Sequence, residues 1–375
     1  MPLKVTDLSS DSEVVLDKIE YKEETNIRYF RVSNSNDIGV NFEYVPILTS
    51  NWDKERISIH LFENPYLTAE NDVFEVYEKS KAEERLGWIF PITILESNDN
   101  DFKDHKNLNH YKYIAYQKLL ELNFSISLRD SSKDFLKLSH VFGNIIICLL
   151  HKDTIQNIKD FAFDNYILSF HKNGYLIYSG NPKAKTIYDR ISFIDEKRKT
   201  KRINIEPSNF EITKNDFSKS LFIEHLLQSD NFLVRFIFLY QIIEHFIEVL
   251  SEAQFYEHIE NYIDNKSTKN EFRENINKSS TERELVIDIF KSTTISYELQ
   301  EEFNTEIDFF FNDIGKVYKK NSFPNKIYNL RNLVTHSFRE LTAKTDSLRK
   351  ITEIFERIII ELLIKYKINN KDIKE

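Results

Sequence analysis

Apolar residues keep one spacing up to about residue 206 and another beyond it, and this change of period divides the chain. In the first part, residues 42–48, 56–62 and 88–95 are short stretches of β-branched and aromatic residues separated by polar segments with Asn, Asp and Pro. That pattern predicts strands. Residues 166–170 and 175–178 flank His171, Lys172, Asn173 and Gly174, and Asn-Gly between two such runs predicts a hairpin. A second hairpin is expected to pair 187–194 with 202–205 across a charged turn. Helices over 110–122 and 134–150 interrupt the strands. Residues 1–206 therefore read as a β-rich domain, a sandwich or an open barrel.

Pro207, Ser208 and Asn209 form the joint. From Asp216 onward apolar positions recur with helical period, most clearly over 231–263, 297–320 and 346–367. After Gly315 there is no further glycine and a single proline, Pro324, suited to the first turn of a helix. Residues 213–370 are expected to be an all-α bundle of five or six helices. The fold class is α+β, β-rich domain first and helical bundle second.

Composition narrows the function. The chain has 375 residues, of which 41% are hydrophobic and 14% aromatic, enough to bury a substantial core. None of its 6 glycines stands in a G-x-G or G-x-x-x-x-G-K-[ST] arrangement, which argues against Rossmann and Walker nucleotide sites. The single cysteine, Cys148, excludes an intrachain disulfide and any multi-cysteine metal site. It sits in the apolar run 141–150 and reads as a buried thiol. That run falls far short of the roughly 20 residues a membrane helix needs. The start, MPLKVTDLSSDSEVV, lacks the features of a signal peptide, so a cytoplasmic protein without a membrane partner is expected. A net charge of −9 argues against a general nucleic-acid coat protein but leaves room for a small basic site.

The chemistry concentrates in residues 323–339. At 100° per residue, Ile327, Leu330, Val334, Phe338 and Leu341 share one narrow arc and form a core-facing stripe. Asn332, His336 and Arg339 follow one another four and three residues apart on the opposite side. Arg331 lies about 140° from His336 and must bend to meet the same ligand. Two copies facing across a two-fold axis would ease that geometry.

Arg331, Asn332 and His336, followed by a long amphipathic final helix, resemble the R-x(4–6)-H signature of the HEPN superfamily of ribonucleases. The run from Phe236 to Phe246 looks like the long early helix of these domains, especially in ApeA-like bacterial defence proteins. The resemblance covers roughly residues 213–370. It implies a metal-independent endoribonuclease without cofactor, dimeric through the helical domain, acting as a toxin in anti-phage abortive infection. RNA is the implied substrate, tRNA one candidate, and a phage-derived trigger would act at the N-terminal domain. For Glu244 a supporting role is conceivable beside an ordinary paired charge.

Physical chemistry gives the three residues matching roles. RNA carries its own nucleophile, the 2′-hydroxyl, so cleavage needs proton transfer and stabilisation of a crowded, charged phosphorane. A histidine moves protons near neutral pH. An arginine fork holds two phosphate oxygens. Asn332 would orient the phosphate or the histidine, and the products would be a 2′,3′-cyclic phosphate and a 5′-hydroxyl. Arg339 on the same face, and the basic turn of Lys197, Arg198, Lys199, Lys201 and Arg202, are candidates for RNA backbone contact. A structural alternative stands beside this: Arg331 pairs with a carboxylate at the core edge while His336 is merely exposed. Asp101, Asp104, His105 and His110 read as a surface connection, not a metal site. A catalytically silent HEPN-like module, or the toxin of a toxin–antitoxin pair, are the competing functions.

Overall fold

The computed structural model describes residues 3–7, 12–24, 27–36, 38–45, 51–63, 72–81, 84–97, 100–122, 125–128, 135–178, 200–208, 217, 220–226, 229, 231–318, 322–336, 341 and 345–366. Their contacts gather into two compact units. The first takes Met1–Ala162, Asn173–Pro182 and Asp189–Glu206; the second takes Phe163–Lys172, Lys183–Tyr188 and Pro207–Glu375. The order is a β-rich region followed by a helical region, as the change of period indicates.

The first unit contains β1 (Leu3–Asp7), β2 (Ser12–Leu16), β3 (Lys18–Glu24), β4 (Ile27–Ser33), β5 (Gly39–Glu43), β6 (Ile57–Glu63), β7 (Phe74–Glu78) and β8 (Arg85–Pro91). Then come α1 (Lys106–Glu121), β9 (Ser125–Leu128), α2 (Ser139–Phe142), β10 (Ile145–His151) and α3 (Lys152–Gln156). After α4 (Ile167–Lys172), which belongs to the second unit, β11 (Leu176–Ile177) and β12 (Arg202–Ile205) complete it. Six strands form one mixed sheet in the order β11-β6-β10-β8-β7-β12, and two three-stranded sheets follow the orders β2-β1-β9 and β3-β4-β5.

Strand β10 organises the large sheet. It runs antiparallel to β6 on one side and β8 on the other, and Ile145 to Leu150 are buried on both faces. Ile145, Ile147 and Leu149 join the core with Trp88, Phe90 and the α1 residues Leu108, Ile114 and Leu119. Cys148 points to the other face and is fully buried, which pushes its thiol pKa well up. Gly87 on β8 lies so close to β10 that a Cβ there would overlap the Leu149 carbonyl oxygen.

Several expectations do not hold. Residues 134–150 are not one helix: only Ser139–Phe142 is helical, Gly143 leaves it at φ +67°, and the Ile-Ile-Ile run enters the sheet. An unbroken apolar run suits a strand buried on both faces as well as a helix, and β-branching decides it. Nor do residues 166–170 form a hairpin arm. They lie in a 3-10 turn and α4, and Gly174 at φ +83° follows the helix end, where a left-handed residue is favoured. The strand over 202–205 exists, but it pairs in parallel with β7; its expected partner, 187–194, lies outside the described residues. The expected strand over 88–95 turns at Pro91 into a 3-10 segment, Ile92–Leu95.

Lys112 of α1 is only 1% exposed, and its ammonium donates to the Ser97 carbonyl at 3.1 Å. Burial lowers its pKa from the usual lysine range to about 8. Folded protein thus releases this proton earlier than unfolded chain does, so wild-type stability rises as pH climbs from about 8 to about 10.4, by as much as ~3 kcal/mol. Below about 8 both states carry the charge and its burial costs in full. We expect Lys112→Met to remove that rise, read as the difference between variant and wild type in urea unfolding at pH 7.5 and pH 10.

Among the described residues of the second unit, six long helices follow α4: α5 (Phe232–Ile263), α6 (Lys269–Ser279), α7 (Glu282–Ser292), α8 (Tyr297–Asp313), α9 (Phe323–His336) and α10 (Thr345–Lys365). Asn231 caps α5 by accepting from the Leu233 and Val234 amides, and Thr268 opens α6 with a reciprocal capping box to Glu271. Helix α8 stops at Asp313, short of the expected 320, with Gly315 at φ +67° just beyond. Pro324 falls in the first turn of α9. One core joins Phe236, Leu239 and Ile243 of α5 to Ile289 of α7, Phe303 and Ile307 of α8, Ile327 and Leu330 of α9, and Ile358 and Leu362 of α10.

Charge is buried in this unit as well. Glu356 on α10, with 0% exposure, accepts from the Arg235 guanidinium of α5 at 2.7 Å and lies 2.7 Å from Nε2 of His171 on α4. Arg235 also donates to the Leu226 and Ser229 carbonyls. Among the described residues no helix is long and apolar enough to cross a membrane.

Candidate functional site

Helix α9 buries Phe323, Ile327, Leu330, Leu333 and Val334, so its inward face is wider than the arc read from sequence. Of that arc, Ile327, Leu330, Val334 and Leu341 are buried, and Phe338 lies outside the described residues. Arg331 and Asn332 emerge at the rim, half-buried. His336 is exposed at the helix's last residue and makes no hydrogen bond, ion pair or ring contact with a described residue.

Arg331 is the best-defined member. Its Nη1 donates to the Asn332 side-chain oxygen at 3.1 Å. Its Nη2 donates to Oε1 of Glu244 on α5 at 3.3 Å and lies 3.5 Å from Oε1 of Glu282 at the start of α7. The guanidinium sits over the Tyr240 ring, 5.6 Å from its centroid, and the Tyr240 hydroxyl donates to Glu282 at 3.2 Å. Buried Nε has no partner among the described residues. Burial works against the charged form of Arg331, but Glu282 and Glu244 outweigh it and raise the pKa above the ordinary guanidinium range. Burial, then Glu282, pushes the Tyr240 phenol far up, so it remains a donor.

The geometry brings Arg331 and Asn332 into contact and leaves His336 apart. Arg331 and His336 are five helical positions apart, about 7.5 Å along the axis and about 140° around it. Asn332 and His336 are one turn apart and neighbours on the surface. Arg331 paired at the core edge, with His336 exposed, is also the arrangement of the structural alternative. Sequence pointed to Glu244 but missed Glu282 and Tyr240. Tyr240 was open to recognition, because it precedes Glu244 by four residues on α5 and shares its face; nothing in the sequence ties Glu282 to Arg331.

Of the proposed RNA contacts, Lys197, Arg198, Lys199 and Arg339 lie outside the described residues. Lys201, at φ +54°, pairs with Asp101 at 2.7 Å, and Arg202 lies 3.7 Å from Glu75 with its guanidinium 4.6 Å above the Tyr77 ring. Both belong to the first unit, Arg331 to the second. His105 precedes the first residue of α1 without a side-chain capping bond and packs edge-on against Trp88, whereas His110 stacks on Trp52 at 4.4 Å. Among the described residues no group of three or more His, Cys, Asp or Glu is placed to hold a metal ion. Comparison with known proteins gives no match to any protein family, to any curated protein or to any solved structure.

Proposed function

We propose that the helical unit is a metal-independent RNA endonuclease of the HEPN kind. Arg331 and Asn332 hold the scissile phosphate, and His336 moves the proton of the attacking 2′-hydroxyl or the leaving 5′-oxygen. The observation that carries this is the pairing of Arg331 with Asn332 at the rim of a helix that also carries the exposed His336, which engages no described residue. An imidazole open to solvent is free to exchange protons with a bound substrate. The likeness in sequence extends the proposal to a cytoplasmic toxin effector of anti-phage defence, dimeric through the helical unit, with the β-rich unit receiving the trigger.

The test is purified protein incubated with total RNA in excess EDTA. We expect cleavage at the rate seen without chelator and fragments ending in 2′,3′-cyclic phosphate and 5′-hydroxyl. Cleavage that stops and returns on adding a divalent ion would instead indicate a metal nuclease. One observation favours a second reading, a catalytically silent binding module: Arg331 is already neutralised by two carboxylates. That module would bind RNA, a nucleotide or a protein partner without cutting.

A further inference from the structure

The two carboxylates on Arg331 bear on how the site is controlled, a control that presupposes the nuclease reading. A phosphodiester is best held by two parallel N–H groups of one guanidinium edge. In Arg331, Nη1 is turned to Asn332, Nε is buried, and Nη2 is shared by Glu244 and Glu282. Of the N–H groups a phosphate needs, those of Nη2 thus already face two anions, and Nη1 donates to the Asn332 amide oxygen. The local charge count is one cation against two carboxylates, so an approaching phosphate meets net repulsion. We propose that Glu244 and Glu282 act as an internal anion, closing the Arg331 phosphate site until RNA displaces Glu244.

The two carboxylates differ in how firmly they are held. Glu282 is fixed from below by the Tyr240 hydroxyl, and Tyr240 itself is buried. Glu244 has a side chain 48% exposed and reaches Arg331 through one contact of 3.3 Å. Exposed pairs of this kind are weak enough for a phosphate to replace. Glu244 is therefore the movable gate and Glu282 the post. RNA binds by exchanging one anion for another on a guanidinium already oriented over Tyr240.

Fluorescence anisotropy with a single-stranded, fully 2′-O-methylated RNA tests this, because that probe binds without being cut. The proteins compared are wild type, the double variant Glu244→Gln with Glu282→Gln, Arg331→Ala, and the triple variant. Glu248→Gln is the control, since Glu248 is an exposed carboxylate on the same helix. We expect the double variant to bind about tenfold more tightly than wild type, Glu248→Gln to bind like wild type, and the gain to vanish when Arg331→Ala is added. Equal or weaker binding by the double variant, with its unfolding midpoint unchanged, would overturn the proposal. So would a gain that survives Arg331→Ala, which would report only the loss of negative charge. If the nuclease reading alone fails, natural RNA stays uncut while these affinities still separate.

Discussion

His336→Ala is expected to lower RNA cleavage by about 10³-fold, the range that a positioned acid–base group contributes, while leaving the fold untouched. The side chain is exposed and engages no described residue, so its removal should shift unfolding free energy by less than ~0.5 kcal/mol. Arg331→Ala should abolish cleavage to a similar degree but carry a measurable stability cost, because it also strips Glu244, Glu282 and the Tyr240 ring of their cation. The two variants thus separate catalysis from structure. A fluorescent RNA cleavage assay beside urea unfolding reads both quantities. Undiminished cleavage in both variants would end the nuclease proposal; a stability loss in Arg331→Ala with cleavage intact would mark Arg331 as a structural arginine.

Glu356→Gln is expected to be the most destabilising single change in the helical unit. The carboxylate carries no exposed surface and serves Arg235 and His171 together, each at 2.7 Å. Gln keeps the shape and removes the charge, stranding a guanidinium in a core built from Phe236, Phe355 and their neighbours. Breaking a buried ion pair from one side costs about 3–5 kcal/mol, a large share of the roughly 5–15 kcal/mol that holds a typical domain. Urea unfolding of the variant should show that loss, or the protein should accumulate as aggregate. Replacing Arg235, Glu356 and His171 together by apolar residues of similar size should recover most of it, since no charge is then left unpaired. A single-variant loss below ~1 kcal/mol would mean that water reaches Glu356.

Much of the architecture can be read from periodicity alone. The switch from strands to helices, α1, and the start of α5 at Asn231 follow from local pattern and cap chemistry. Failures occur where local pattern is silent about burial. Residues 145–150 are apolar at every position, so they carry no period; the β-branched Ile145, Ile146 and Ile147 favour a strand, and the place of the run between β6 and β8 completes it. Residues 166–172 carry a hairpin's signal at Asn173 and Gly174, yet Leu168 packs in the helical core and His171 meets Glu356, a tertiary demand that no window of sequence contains. The candidate site divides in the same way. Arg331, Asn332 and His336 lie on one helix and their spacing is visible; Glu244 and Glu282, which set the charge around Arg331, arrive on two other helices.

Helix α4 has a consequence for how this protein can be taken apart. Its residues sit in the sequence between β10 and β11, yet they complete the helical core. A fragment starting at Pro207 would lack His171 and Leu168, leaving Glu356 one partner short and the core with an open flank. The chain therefore cannot be divided into independently inherited halves by a single cut: recombination at the joint would have to carry the α4 segment along with the C-terminal part.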